Sequence, residues 1–310
     1  MAFEPYLQRL TGQLIDGVDR LPTDFRRRHA IWVMERQNPD GGFSGRAGGS
    51  DLYYTGFALR SLAVLQELES HTCDRAAKFL RERMTGSASV VDLFSLLVSV
   101  FLVRLGGGPD VLGEAPPNWP DRVAETLETF RHADGGYAKA QGGTTGSTYT
   151  TFLVALALEL LGKKVPASDR AVEFLRSRYR AGGFVEIPQM KRAGTNPTAA
   201  AIGTLQMLGA LDDDLRSGVA DFLVGLVSEP EGGLRANDRI PAADLLSTFT
   251  GSWTLADVGH LGRLDLARVQ AYAESLQAPD GGFRGGAWDD GRDVEYTFYG
   301  IGVLGLVAAE

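Results

Sequence analysis

The sequence is poor in cysteine, in histidine, in excess positive charge and in long apolar runs. It contains one cysteine, Cys73, and four histidines among 310 residues, which excludes an internal disulfide and any zinc site built from several cysteines. A net charge of −8 argues against a general nucleic-acid binder. The longest apolar stretch, Val90 to Val103, contains Asp92 and is too short to span a bilayer. We therefore expect a cytoplasmic protein that is not transmembrane and has no nucleic-acid partner.

Glycine, by contrast, is abundant, with 39 residues, and its positions repeat along the chain. A Gly-Gly pair followed by a bulky residue begins at Gly41, Gly135, Gly182, Gly232 and Gly281. The steps between these pairs are 94, 47, 50 and 49 residues. Because the first step is twice the second, one degenerate unit is expected there, with its helix at Val90 to Val103. The spacing predicts six repeat units of roughly 48 residues.

Each unit combines a half-polar helix, a turn and a second helix that is almost wholly apolar. Polar residues that suit a helix N-cap precede the second helices; they are Asp51, Ser147, Thr195 or Asn196, Asp244 and Asp293. A helix that is apolar all round must be buried on every side. Six such pairs can close into two concentric rings with the apolar helices inside. The predicted fold class is all-α, an α/α toroid formed by a single domain over residues 1–310, and an open helical solenoid is the alternative.

A closed double ring would bring the N-termini of the inner helices to one mouth, where their free N–H groups attract anions. Five cations in the preceding loops are candidates for binding a diphosphate at that mouth: Lys191, Arg192, Arg235, Arg239 and Arg292. Solvated loop charge is the alternative interpretation. Ordinary N-capping likewise accounts for Asp244 and Asp293 without any role in binding.

The inner helices also carry aromatic residues at helical spacing. They are Tyr53, Tyr54, Phe57, Phe94, Tyr149, Phe152, Phe249, Trp253, Tyr296 and Tyr299. Such residues usually form a core, but in a closed ring they would also line a central pocket. An apolar wall with polar groups at one end is typical of a ligand site, and an isoprenoid chain with a diphosphate head has a matching shape.

Two segments place the chain near a known family. Arg36-Gln-Asn-Pro-Asp-Gly-Gly-Phe-Ser-Gly45 and Leu276-Gln-Ala-Pro-Asp-Gly-Gly-Phe-Arg-Gly285, with the helix starts that follow them, resemble the prenyltransferase and squalene-cyclase repeat. The resemblance covers about residues 28 to 306. In length the chain is most similar to the β subunit of protein prenyltransferases, which implies a helical α-type partner subunit as one alternative.

The zinc ligands of that family are incomplete in this sequence. The resemblance implies an aspartate and a cysteine at the start of the fifth inner helix and a histidine at the start of the sixth. Asp244 matches the aspartate, but Leu246 and Tyr296 stand where cysteine and histidine are expected. Because a tetrahedral zinc site needs several sulfur or imidazole ligands, we predict no zinc and expect ordinary cysteine prenylation to fail.

Class II terpene cyclases of the same family use an Asp-x-Asp-Asp-Thr motif whose central acid protonates an alkene. The segment Asp293-Val-Glu295-Tyr296-Thr297 is a partial match, with Glu295 in the place of that acid. A carboxyl group surrounded by aromatic rings can remain protonated, because desolvation disfavours its charged form. We therefore assign candidate catalytic roles to Asp293, Glu295, Asp244 and Tyr296.

The sequence leaves one metal-binding site as an open alternative. Trp288-Asp289-Asp290 resembles an Asp-Asp motif that binds Mg²⁺, although a solvated turn explains it equally well. The leading hypothesis is a zinc-independent, prenyltransferase-like or terpene cyclase-like protein that binds an isoprenoid diphosphate or another apolar ligand. The alternatives are a β subunit acting with an α subunit, and a toroid that binds a lipid or a protein without catalysis.

Overall fold

The computed structural model describes residues 4–84 and 89–310, and these residues are mostly helical. The helices are α1 Tyr6–Val18, α2 Thr23–Met34, α3 Leu52–Val64, α4 Ser70–Arg83, α5 Val90–Leu105, α6 Trp119–Glu128, α7 Thr148–Leu160, α8 Ser168–Ser177, α9 Thr195–Met207, α10 Asp213–Val224, α11 Leu245–Asp257, α12 Leu266–Ser275 and α13 Val294–Ala309. A short 3-10 helix covers Leu261–Arg263. No helix in the described part of the chain is long and apolar enough to cross a membrane.

Two short hairpins accompany the helices. Strand β1 (Tyr179–Arg180) pairs antiparallel with β2 (Gly183–Phe184), so that Tyr179 faces Phe184. Strand β3 (Phe283–Arg284) pairs antiparallel with β4 (Arg292–Asp293), so that Phe283 faces Asp293. The second hairpin leads directly into α13 and therefore fixes where that helix begins.

The chain divides into two compact units. The first unit comprises the residues up to Tyr6 together with Asn118–Tyr272, and the second comprises Leu7–Pro117 and Ala273–Glu310. In the first unit, α9 packs between α7 and α11. In the second unit, α3 packs against both α5 and α13, and α4 covers α5. The single domain predicted from the sequence stays a prediction.

The Gly-Gly turns have the backbone conformation that their sequence predicts. The first glycine of each pair has a positive φ, for example 92° at Gly41 and 97° at Gly135. A Cβ at Gly41 would lie 1.9 Å from the carbonyl oxygen of Arg75, on α4. Any other residue would therefore clash with the backbone of the neighbouring helix, as well as being strained.

A buried threonine fastens each turn to the helix that follows it. The bulky residue after the glycines donates its backbone N–H to a threonine hydroxyl, at 2.9 to 3.1 Å, in the five pairs Phe43–Thr55, Tyr137–Thr151, Phe184–Thr198, Leu234–Thr248 and Phe283–Thr297. Each threonine in turn donates to the carbonyl of the N-cap residue four positions earlier. These paired bonds satisfy backbone groups that would be costly to bury alone.

The N-cap predictions are confirmed at four of the five helix starts. Side-chain oxygens of Asp51, Ser147, Asp244 and Asp293 accept from a backbone N–H three residues later. The fourth repeat differs, because α9 begins at Thr195 with Gly194 as its N-cap and no side-chain cap bond. The degenerate unit also forms its helix: α5 starts with a capping box between Ser89 and Asp92.

Candidate active site

Glu295 lies in the first turn of α13, where α13 packs against α3 in the second unit. The hydroxyl of Tyr53, on α3, donates to Oε1 of Glu295 at 2.6 Å. The hydroxyl of Tyr299, one helical turn along α13, donates to the same oxygen at 3.3 Å. The structure therefore joins two predicted site residues, Tyr53 and Glu295, that are 242 positions apart in the sequence.

Burial raises the pKa of Glu295 above its ordinary value, and the negative charge of Asp293 acts in the same direction. The hydrogen bonds from Tyr53 and Tyr299 and the positive charge of Arg60 oppose this rise without cancelling it. A carboxyl group in this environment holds its proton to a higher pH than it would in water. It can therefore act as a proton donor toward an apolar molecule.

The two tyrosines that bind this carboxyl group belong to a cluster of aromatic rings on α3 and α13. The Phe57 ring meets the rings of Tyr53, Phe298 and Tyr299 edge-on, with centroid separations of 4.9, 5.6 and 5.3 Å. The guanidinium of Arg60 lies over Phe57 at 4.1 Å and over Phe298 at 4.7 Å. The electron-rich faces of such rings attract cations, and here they hold Arg60.

Asp293 is the N-cap of α13, and its Oδ1 accepts from the backbone N–H of Tyr296 at 2.9 Å. Its other oxygen, Oδ2, accepts from Nε of Arg46 at 2.9 Å. The two terminal nitrogens of Arg46 bind both oxygens of Asp289, at 2.8 and 2.6 Å. Arg46 therefore clamps two acids of the last repeat, and the N-capping role predicted for Asp293 is confirmed, whereas its catalytic role stays a prediction.

The Arg46 clamp bears on the predicted Mg²⁺ motif. Asp289 is engaged by a guanidinium, and the side chain of Asp290 is fully exposed, with Arg284 at 3.9 Å. Within residues 4–84 and 89–310, no three His, Cys, Asp or Glu side chains converge as metal ligands would. The presence or absence of a metal in the protein stays a prediction.

Tyr54 and Tyr296 occupy equivalent positions in the first and last repeats. The ring of Tyr54 lies against Gly45, where a Cβ would come within 2.5 Å of it. Gly285 lies in the same way against Tyr296, at 2.7 Å, and the Arg46 guanidinium is 5.5 Å from the Tyr296 ring. The glycine two residues after each Gly-Gly-Phe thus makes room for a tyrosine beside the candidate site.

Asp244 belongs to the first unit, where it caps α11. Its carboxylate accepts from the backbone N–H and from the hydroxyl of Ser247, at 2.7 and 2.8 Å. Burial raises its pKa. Of the other predicted residues on α7 and α11, Phe249 and Trp253 are buried, whereas Tyr149 is 39% exposed. Asp244 thus stabilises the start of α11 through its two hydrogen bonds with Ser247.

The structure brings three of the five predicted cations together. Lys191, Arg192 and Arg239 border a groove of about 900 Å³ beside Phe222 and Leu226 of the α10 region. Arg192 is ion-paired with Asp238 across this groove at 2.6 Å.

The other two predicted cations lie elsewhere. Arg235 donates to the carbonyls of Gly225 and Leu226, at the end of α10. Arg292 binds Asp280 and the carbonyl of Gly281, both at 2.5 Å. These two cations are engaged in local structure.

Three residues near these sites were missed on sequence grounds. They are Arg46 and Arg60 in the second unit and Tyr6 in the first. Arg46 lies in a glycine-rich loop, and a charged side chain in such a loop is usually interpreted as solvent-exposed. Arg60 is the one charged residue of α3, and this isolated charge is the signal in the sequence that could have identified it.

The protein is similar to several characterised proteins. A protein farnesyltransferase subunit beta of Pisum sativum is 27% identical over 201 residues, which is 64% of this chain but only 47% of that relative. The match thus spans about half the length of the relative. A Candida albicans protein geranylgeranyltransferase-I complexed with GGPP superposes with a TM-score of 0.69 at 14% identity, covering 95% of this chain and 90% of the other.

A type II terpene cyclase from Scytonema, in complex with geranylgeranyl dihydroxybenzoate, gives a TM-score of 0.60 at 15% identity, with 98% of this chain and 99% of the other covered. At these identities the similarities establish the fold. The model of the prenyltransferase alpha-alpha toroid domain family matches residues 10–184, 97–222 and 197–309. The all-α toroid predicted from the repeats is confirmed, and the open solenoid is wrong. The chain belongs to the prenyltransferase alpha-alpha toroid domain family.

Proposed function

We propose that this protein binds an isoprenoid, as its diphosphate or with another head group, and cyclises it in a zinc-independent reaction started by Glu295. The observation that carries the proposal is the half-buried carboxyl group of Glu295, held by Tyr53 and Tyr299 among aromatic rings. Its raised pKa suits a general acid rather than a ligand for a cation. We also propose a reducing, cytoplasmic location, consistent with the single free thiol of Cys73.

In the proposed reaction, the O–H bond of Glu295 breaks as the π electrons of an alkene form a new C–H bond. The adjacent carbon becomes a carbocation, which a second alkene of the same chain attacks to close a ring. A water molecule then takes a proton from a carbon next to the cationic centre, which gives a neutral product, and solvent returns a proton to the Glu295 carboxylate. Tyr53 would stabilise the Glu295 carboxylate by its hydrogen bond.

A second candidate is a β subunit of a protein prenyltransferase, working with an α-type partner. It is favoured by the pea relative, which is named as a farnesyltransferase β subunit. It is opposed by Leu246 and Tyr296, which supply neither the sulfur nor the imidazole ligand that the resemblance implies. A toroid that carries a lipid or a protein without catalysis is the third candidate, and it gives the half-buried carboxyl group of Glu295 no role.

The test is to incubate the purified protein with a panel of prenyl diphosphates, measuring binding by native mass spectrometry and analysing the products. Glu295→Gln keeps the shape of the side chain but has no acidic proton, so turnover should fall by about 10²-fold or more while binding is retained. Asp290→Asn, which alters an exposed acid on the same segment, is the matched control. Full turnover by Glu295→Gln contradicts the proposed mechanism, and retained binding without turnover in the unaltered protein favours the carrier.

A further inference from the structure

The groove of the first unit combines an apolar lining with basic side chains. Phe222 and Leu226, at the end of α10 and just after it, belong to the lining, and Met190 adds an apolar side chain that is 48% exposed. With a volume of about 900 Å³, the groove has the size that binding sites commonly have. It can therefore receive a segment of another molecule that carries a large apolar side chain.

The two acids that line the groove are both neutralised by arginines. Asp238 is ion-paired with Arg192 at 2.6 Å, and Asp221 is ion-paired at 2.8 Å with Arg263 of the short 3-10 helix. Three further cations of the lining are exposed: Arg180, Lys191 and Arg239. The groove is therefore positively charged on a protein whose net charge is −8, and it favours an acidic segment.

The loop between β3 and β4, in the second unit, presents a segment with both properties. Trp288 is 63% exposed, and the carboxylate of Asp290 is fully exposed. Between them, Asp289 accepts from two nitrogens of Arg46 and from the backbone N–H of Gly291. This segment, which we call the acidic tip (residues 288–290), is thus fixed with an indole ring and a carboxylate in solvent. A fixed segment loses little conformational entropy when it docks.

We infer that the acidic tip of one copy of this chain docks in the groove of a second copy. The indole of Trp288 packs on the apolar lining, where a guanidinium can stack on its face, and the carboxylate of Asp290 pairs with an exposed cation. The tip and the groove match in charge and in polarity at once, which favours a second copy over an unrelated acidic protein.

Each copy carries one acidic tip and one groove. Two copies therefore bind each other reciprocally if the rotation that relates them closes, and they form a chain if it does not. The same contact is made in either assembly. The inference does not depend on the proposed isoprenoid function, because neither the tip nor the groove includes Glu295.

The first experiment measures self-association of the full chain by sedimentation velocity over a wide range of protein concentration. The unaltered protein should form dimers or longer chains, and their proportion should rise with concentration and fall with salt. Trp288→Ala should weaken the association by about tenfold or more, because it removes the indole. Ile31→Ala, which truncates another exposed apolar residue, on α2, is the matched control and should leave it unchanged.

A charge exchange tests which surfaces meet. Asp290→Lys reverses the tip, and the double variant Lys191→Glu/Arg239→Glu reverses the groove, so each protein alone should fail to self-associate. A mixture of the two should form a complex, because the reversed tip meets the reversed groove and the unaltered tip meets the unaltered groove. Melting temperatures establish that each variant is folded.

Two results would overturn the inference. One is an unaltered protein that stays monomeric at every concentration. The other is association that persists unchanged in Trp288→Ala and in both charge-reversed proteins. Folded charge-reversed variants that remain monomeric when mixed would likewise show that the acidic tip does not dock in the groove.

Discussion

Arg46 and Asp293 form an ion pair across 247 positions of sequence, with Nε of the arginine 2.9 Å from Oδ2 of the aspartate. The same guanidinium holds Asp289, so one loop of the first repeat organises the loop that precedes α13. Asp293 is almost fully buried and also caps that helix. The pair therefore couples the position of the first turn of α13, which carries Glu295, to a residue near the start of the chain.

Replacing Arg46 should weaken the second unit. Arg46→Gln leaves the buried carboxylate of Asp293 without its cation, and we expect the free energy of unfolding to fall by about 1–2 kcal/mol, a value reduced because the arginine is partly solvated. Urea unfolding measures the change. Arg192→Gln breaks an ion pair whose two side chains are both about half-exposed, and it should cost less than about 0.5 kcal/mol. Equal effects of the two substitutions would contradict the clamp.

Glu295 should make stability fall with rising pH. Because its pKa is raised in the folded state, its stabilising contribution is complete below the ordinary pKa of glutamate and is lost as pH rises through the folded value. Glu295→Gln removes the titration, so the variant should equal or exceed the unaltered protein in melting temperature at neutral pH. Thermal unfolding from pH 4 to pH 8 gives the comparison. A melting temperature that drops equally at every pH would show a purely structural role.

Turnover, where it occurs, should depend on the same proton. A reaction started by the protonated carboxyl of Glu295 slows as pH rises through its raised pKa. Tyr53→Phe removes a hydrogen bond that stabilises the carboxylate, so this limb of the pH–rate profile should move to higher pH. Tyr54→Phe, on the neighbouring residue, is the control and should leave the limb in place. A limb that stays unmoved in Tyr53→Phe would show that Glu295 is not the titrating acid.

His29 should destabilise the protein in acid. Burial, with help from the charge of Arg28, lowers its pKa to about 3. Its Nδ1 accepts from the N–H of Gly282 at 3.0 Å, so protonation breaks this bond. Between pH 6.5 and 3 the unfolded chain binds the proton and the folded chain does not, which lowers stability by about 1.4 kcal/mol per pH unit. NMR titration should find the His29 ring neutral at pH 5, and a midpoint above pH 6 contradicts the assignment.

Removal of metal ions should leave the thermal stability of the protein unchanged. Among the described residues no three side chains form a metal-ligand group, and Asp289 is bound to Arg46. Elemental analysis of the purified protein should therefore find zinc well below one equivalent, and neither a chelator nor added Mg²⁺ should shift the melting temperature. Stoichiometric zinc, or a chelator-dependent loss of stability, would show that other residues replace the missing cysteine and histidine.

Most of the fold could be predicted from the repeat pattern of the sequence. Five Gly-Gly pairs in phase specify turns that only glycine can form beside a neighbouring helix, as at Gly41, and apolar helices must be buried. Both are local or periodic properties, which a single sequence displays directly. The threonines that fasten the turns recur as well, each four residues after the N-cap residue, and this constant interval is also visible in the sequence.

The residues of the candidate site could likewise be predicted where the signal is local in the sequence, but their long-range partners could not. Glu295 was recognised because a family motif is contiguous in sequence, and the aromatic residues because they recur at helical spacing. The partners of these residues were not predictable: Tyr53 lies 242 positions from Glu295, Arg46 lies 247 from Asp293, and Tyr6 lies 247 from Trp253. A loop cation in the sequence has no visible partner, so the contacts of Arg235 and Arg292 with backbone carbonyls and, for Arg292, with Asp280 could not be predicted. Their role in ligand binding stays a prediction.

The sequence by itself determined the repeat, the helix pairs, the turn glycines and the acid of the last repeat, because each depends on residues that are close in the chain. Only the tertiary structure decided which charges meet, which carboxyl group is desolvated and where Tyr6 lies. Those outcomes depend on packing between residues that are far apart in the sequence. Desolvation and individual hydrogen bonds formed by this packing shift the pKa of a side chain and thereby change its protonation state.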